Sequence, residues 1–202
     1  FDMEYDYDTR EVFDRYLRGE AALSHWLDFL NYQEGAYRAN YNKMRCLENH
    51  DQPRIRSFVP DERALVNYTA LLYFLKGTTL IYAGQEFENA HTPSLFEREV
   101  IDRGTGRDLA PLMRRLHEIK SAAFGAADWF CAEADDARDI AVCRRGGNGR
   151  RFVGVFSLKA KPGEVSIDAP DGEYGELISG GTVRVAGGKL MCAGDPVIIR
   201  VE

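Results

Sequence analysis

The chain has 202 residues, of which 45% are apolar, 29% charged and 11% aromatic, the make-up of an ordinary globular protein. A net charge of -6 and a pI near 5.3 argue against a nucleic-acid or anionic-membrane partner. The longest apolar run, Tyr68–Leu75, is too short to span a bilayer and is broken by Lys76.

The amino terminus, Phe1–Asp8, is acidic and has no apolar core, so it is not read as a signal peptide, and the location is expected to be cytoplasmic or is left open. The first residue is Phe1 rather than methionine, which fits a trimmed piece of a longer protein. Cys46, Cys131, Cys143 and Cys192 form no C-x-x-C pair, so a zinc site is not expected. Cys46 and Cys143 fall in apolar strand-like runs and read as buried free thiols, while spacing alone leaves a disulfide open.

Along the chain, Phe1–Asp8 alternates aromatic and acidic residues, a period-two pattern that predicts a strand end entering a loop. Tyr5 and Tyr7 there are read as packing under a loop in preference to stacking on a sugar. Helices are predicted over Glu11–Leu17 and Ala21–Leu30, the second with Leu23, Trp26, Leu27 and Leu30 on one face and Gly35 beyond its end. A short strand at Met44–Leu47 leads into Glu48-Asn49-His50-Asp51-Gln52-Pro53-Arg54, and Pro53 ends it. A strong helix is predicted over Asp61–Leu75, with Asp61 as N-cap, Leu65, Tyr68, Leu72 and Leu75 on its stripe, and Gly77 at the C′ position. Thr78–Ala83 is β-branched and apolar and reads as the next strand, closed by Gly84. Two strands joined by a helix are most simply parallel, which puts Asn49–Asp51 and Gln85–Glu86 on one rim, at the carboxyl ends.

A long polar loop, Phe87–Arg107, follows, then a helix over Asp108–Phe124 with Leu112, Leu116, Ile119 and Ala123 on its stripe and His117 on its solvated face. After residue 125 short β-like runs take over: Ile140–Cys143, Phe152–Leu158, Glu164–Ile167, Tyr174–Ile178, Thr182–Val185, Lys189–Cys192 and Val197–Val201. Glycine-rich turns separate them, which indicates an antiparallel sandwich or barrel without a catalytic cluster. The expected division is 1–124 and 125–202.

These motifs resemble the α-amylase family, glycoside hydrolase family 13. Leu47–Arg54 is similar to that family's seventh barrel strand and Thr78–Glu86 to its eighth. Ser94-Leu95-Phe96 with Ile101-Asp102 is similar to the following loop, Leu112–Lys120 to the last barrel helix, and Ile140–Val201 to the C-terminal sandwich. The resemblance implies a partial (β/α)₈ TIM barrel, about its last three βα units, followed by an antiparallel β-sandwich. It implies a retaining enzyme acting on α-glucosidic bonds of starch, maltodextrin or related oligosaccharides. It makes Asp51 the carboxylate that stabilises the transition state and His50, Asn49 and Arg54 the sugar-binding residues, with Gln85 and Glu86 lining the rim.

One departure is large. Retaining hydrolysis needs a nucleophilic carboxylate and an acid roughly 5–5.5 Å apart. The resemblance places both on barrel strands that precede this segment, and Glu48, Glu86 and Glu97 are weaker candidates for pairing with Asp51. The chain alone is therefore expected to be inactive, and a non-catalytic carbohydrate-binding or assembly module is the alternative reading. No cofactor is evident. Calcium, which the resemblance allows, is expected in the part not present. The expected partners are an α-glucan or oligosaccharide and, to cover an open barrel edge, a second copy or the N-terminal half of the barrel.

Overall fold

The structure, a computed structural model, describes residues 2–104 and 106–201. Phe1, the first residue of the expected strand end, lies outside them. The first half is a three-stranded parallel sheet of order β1-β2-β3, formed by β1 (Glu4–Tyr5), β2 (Lys43–Arg45) and β3 (Thr78–Thr79). Glu4 and Tyr5 register with Lys43 and Met44, and Met44 and Arg45 with Thr78 and Thr79. Helices α1 (Tyr7–Leu17) and α2 (Leu23–Ala36) link β1 to β2, and α3 (Ile55–Phe58) and α4 (Glu62–Phe74) link β2 to β3. This is the strand–helix arrangement of part of a (β/α)₈ barrel.

Helix α1 starts at Tyr7, four residues before the expected Glu11. The acidic alternation is therefore not a long strand. It matches the two buried cations of β2: Lys43 Nζ lies 2.5 Å from Glu4 and 2.6 Å from Asp8, and Arg45 pairs with Asp6. Burial works against the Lys43 charge, but hydrogen bonds to Asp8 and Glu4 hold its pKa above the ordinary value. Helix α2 runs past Leu30 to Ala36 and contains Gly35. Its last turns are polar yet tied inward, with Gln33 bonded to Asp6 and Arg45 and Glu34 paired with Lys76 at 3.2 Å. An apolar period does not register such turns.

In α4 the Asp61 side chain accepts from the Ala64 amide, as an N-cap does. Leu65, Tyr68, Leu72 and Leu75 are buried, as expected, but so is nearly all the rest of the helix, because it lies between the parallel sheet and the second half. Gly77 is not its C′ residue. The helix caps at Leu75, and a Cβ on Gly77 (φ +106°) would stand 2.2 Å from the Lys43 carbonyl oxygen. The glycine permits β3 to approach β2. Strand β3 is only two residues of the expected six, with one more rung from Leu80 N–H to the Arg45 carbonyl. Helix α5 (Ala110–Ala123) closes this half, with Met113, Leu116 and Ile119 buried.

The second half comprises β4 (Trp129–Asp135), β5 (Ile140–Gly147), β6 (Arg150–Ser157), β7 (Gly163–Ser166), β8 (Gly172–Gly175), β9 (Thr182–Ala186), β10 (Lys189–Cys192) and β11 (Val197–Arg200). They form two antiparallel four-stranded sheets, β11-β6-β5-β4 and β7-β10-β9-β8. Strand β4 was not expected from the sequence, and β8 starts and ends earlier than Tyr174–Ile178. The first sheet is buried on both faces, by period-two alternation. Ile140, Val142, Val153 and Val155 face the second sheet, whereas Ala141, Cys143, Phe152 and Phe156 join the core of the helical half. Phe74 of α4 meets Phe156 edge-on at 5.5 Å. All four cysteines are free; Cys143 is buried, and Cys46 is half-buried just beyond β2 rather than within a strand. Among the described residues no helix is long and apolar enough to cross a membrane.

Candidate active site

Parallel pairing sets the carboxyl ends of β1, β2 and β3 on one rim, so the residues that follow each strand converge there. After β2 the chain dips through buried Leu47, Glu48 and Asn49 and surfaces at His50 and Asp51. Asn49 is 2% exposed, and its Oδ1 accepts the Asp51 amide at 2.9 Å, a local side-chain turn that aims the next two residues outward. The His50 Nε2 lies 3.3 Å from Asp51 Oδ2, and both side chains are about half exposed. Tyr7, one residue into the helix after β1, donates its hydroxyl to the same Oδ2 at 3.4 Å. Burial, and then the neighbouring Asp51 charge, raise the Tyr7 pKa, so the hydroxyl keeps the proton it donates.

Of the four residues singled out in the sequence, the structure brings His50 and Asp51 to the surface together and seats Asn49 directly behind them. Arg54 is elsewhere, fully buried and unable to reach a ligand at the rim. Its Nη1 meets Glu48 Oε1 at 2.6 Å, its Nη2 meets the Ala83 carbonyl at 2.8 Å, and its Nε meets the His91 carbonyl at 3.1 Å. The guanidinium also lies 4.5 Å from the Tyr82 ring centre. Arg54 is thus a strut joining the segment after β2 to the segment after β3. Arg10 of α1 is a second strut, donating to the Leu47 carbonyl at 3.0 Å.

Glu48 and Glu86 are both committed to backbone amides. Glu48 takes Arg54 and the Ile55 N–H at 2.7 Å, and burial raises its pKa against those bonds. Glu86 takes the Gly84 N–H at 2.8 Å, and Gln85 is buried, so both support the turn after β3. Gly84 itself has φ +96°, and a Cβ there would press on Ile101 at 2.8 Å and Arg54 at 3.2 Å. Among the described residues no group of three or more His, Cys, Asp or Glu side chains is arranged to hold a metal ion.

The sequence reading has Tyr7 packing under a loop in preference to a place at the cleft; the structure instead puts its hydroxyl on Asp51, with the side chain about half exposed. Its position just past the carboxyl end of β1 was the available signal, obscured because β1 is only two residues long.

A family model described as the α-amylase catalytic domain matches residues 5–145, and one described as the bacterial α-amylase C-terminal domain matches residues 131–199. An α-amylase from Lactobacillus plantarum is 33% identical, with a TM-score of 0.88 over 99% of this chain and 48% of that one. A noncanonic maltogenic α-amylase from Thermotoga neapolitana is 22% identical and shares the fold, with a TM-score of 0.84 over 100% of this chain and 51% of that one. The α-amylase 2 of Schwanniomyces occidentalis is 24% identical over 128 residues, 60% of this chain and 25% of that protein. The chain therefore spans about half the length of these solved structures and a quarter of that third protein. With a catalytic-domain model matched over well over half its length, this chain belongs to the α-amylase family.

Proposed function

We propose that this chain is the part of a retaining α-glucan-cleaving enzyme that holds the transition-state-stabilising carboxylate, Asp51. The observation that carries the reading is the exposed Asp51 carboxylate with His50 and Tyr7 beside it, on a turn fixed from behind by buried Asn49. Cleavage of a glucosidic bond passes through an oxocarbenium-like state with positive charge on the ring. A carboxylate held in place before that charge develops stabilises it without reorganising. The His50 imidazole is placed to hydrogen-bond the hydroxyls of the same sugar, and the Tyr7 hydroxyl holds one carboxylate oxygen in position.

Of the three weaker candidates, Glu48 and Glu86 are spent on structural bonds, and the nucleophile and the general acid are assigned, as the resemblance implies, outside this chain. They are to be sought in barrel strands of the natural polypeptide that precede β1.

The test is Asp51→Asn in the natural polypeptide that carries this chain, with maltodextrin as substrate. Turnover is expected to fall by at least about 10²-fold, the scale of losing an electrostatic stabiliser, with the thermal midpoint unchanged because the side chain is half exposed. Undiminished turnover would remove Asp51 from the mechanism. Binding of maltodextrin without turnover in the unmodified polypeptide would favour the non-catalytic module.

A further inference from the structure

Helix α1 joins the site to the second half of the chain, and every third residue along it meets a different element. Tyr7 donates to Asp51 at the rim, and Arg10 donates to the Leu47 carbonyl. Phe13 packs on Trp26 of α2 with ring centres 4.5 Å apart, and Tyr16 donates its hydroxyl to Asp139 Oδ1 at 3.0 Å. Arg10, Phe13 and Tyr16 are buried. Asp139 lies in the turn between β4 and β5 and also takes Lys161 Nζ at 3.5 Å. Its φ is +55°, a left-handed conformation that costs most side chains energy and that aspartate tolerates better than most. Burial, with Tyr68 and Asp139 beside it, raises the Tyr16 pKa, so this hydroxyl too keeps the proton it donates.

The same turn fixes α2 by a separate contact. Asp136 Oδ1 accepts the Ser24 amide at 2.8 Å and its Oδ2 accepts the Ser24 hydroxyl at 2.7 Å. It serves a helix start whose own N-cap residue, Ala22, makes no side-chain cap bond. Asp136 thus holds α2, and Asp139 holds α1. About 14 Å of helix separates Tyr16 from Tyr7. A reacting group keeps its place to a fraction of an ångström only when the residues supporting it are themselves locked. Resting on the reading of Asp51 given above, we infer that Asp139 is a positioning residue for the site: it anchors α1 through the Tyr16 hydroxyl and so sets where the Tyr7 hydroxyl meets the Asp51 carboxylate. Glycine would be unstrained at this left-handed position, but it would leave the buried Tyr16 hydroxyl without this acceptor.

The test measures kcat and KM for maltodextrin in the natural polypeptide that carries this chain. Tyr16→Phe and Asp139→Gly are each expected to lower kcat by about tenfold with KM unchanged. Asp139→Asn, which keeps an oxygen acceptor, is expected to stay near the unmodified value. On a Tyr7→Phe background, Tyr16→Phe is expected to cost nothing further, because both act on one contact. Asp136→Ala is expected to lower the thermal midpoint and leave kcat unchanged. An undiminished kcat in Tyr16→Phe, a further loss on the Tyr7→Phe background, or an equal loss in Asp136→Ala would each overturn the inference. If the unmodified polypeptide does not cleave maltodextrin, or Asp51→Asn cleaves it as fast, the assignment of Asp51 fails separately. Titration of the Tyr7 hydroxyl, followed by NMR of isotope-labelled tyrosine, then decides the link to Asp139. A Tyr7 pKa that moves down toward the ordinary tyrosine value in Tyr16→Phe supports it, and an unmoved one overturns it.

Discussion

The Glu48 carboxylate and the Arg54 guanidinium lie 2.6 Å apart with side-chain exposures of 1% and 0%, directly behind the turn that presents His50 and Asp51. Each of the three side-chain nitrogens of Arg54 has a partner, on Glu48, Ala83 and His91. Breaking such a pair from one side leaves a buried charge without a partner. Arg54→Met or Glu48→Leu alone is expected to cost about 3–5 kcal/mol in a denaturant titration. The double substitution Glu48→Leu/Arg54→Met is expected to recover a large part of that loss. Additive losses would contradict a paired role.

Asn49→Ala removes the acceptor of the Asp51 amide while leaving both exposed side chains in place. About 1 kcal/mol of stability is expected to be lost. Turnover of α-glucan by the natural polypeptide is expected to drop by up to about a hundredfold, as when a reacting group is misplaced by an ångström. A drop no larger than the change in folded fraction would reduce Asn49 to a plain structural role.

Lys120 donates to the Leu75 carbonyl at the end of α4 at 2.8 Å. Burial, with the charges of Arg145 and Arg45 adding to it, lowers its pKa to about 7. In an unfolded chain lysine titrates near 10.4. Between about pH 7 and 10 the unfolded state therefore binds more protons at this position, so stability rises with pH across that window. The contribution is complete above the unfolded value and is lost as pH falls through the folded one. Melting curves of the unmodified chain and of Lys120→Met should diverge in slope there, and parallel curves would contradict it.

Residues 140–202 by themselves are expected not to melt cooperatively. That piece lacks β4, which pairs with β5 from Trp129↔Gly146 to Asp135↔Ile140. It also uncovers the face carrying Cys143, Phe152 and Phe156, which α4 and its neighbours bury. Circular dichroism melts and dye binding would show this, and a sharp single transition would refute it.

The 202-residue chain in isolation is expected to self-associate. Among the described strands β1 and β3 each pair only with β2, so both edges of the parallel sheet keep unpaired backbone groups. Phe29 and Tyr32 on α2 are exposed nearby in sequence. Light scattering would detect a dimer or larger species, and a clean monomer would count against this.

The sequence by itself determined the class of each half. Helical stripes such as Leu23, Trp26, Leu27 and Leu30 are local periodic signals, and so are the glycine-bounded β runs after residue 140. It also determined the rim, because Asn49–Asp51 and Gln85–Glu86 each follow a strand, and parallel strands share one carboxyl end. Strand β4 was hidden because Trp129–Asp135 has no clean alternation; its register comes from seven partners on β5.

Only the tertiary structure decided what each polar residue does. Glu48, Asn49, Asp51 and Arg54 read alike as polar residues at a strand end. Burial divides them: Glu48 and Arg54 neutralise each other in the interior, Asn49 bonds a local amide, and Asp51 alone keeps a carboxylate toward solvent. Tyr7 joined the site for the same reason. Its contact with Asp51 spans 44 residues of chain, a distance that local pattern does not register and that β1–β2 pairing closes.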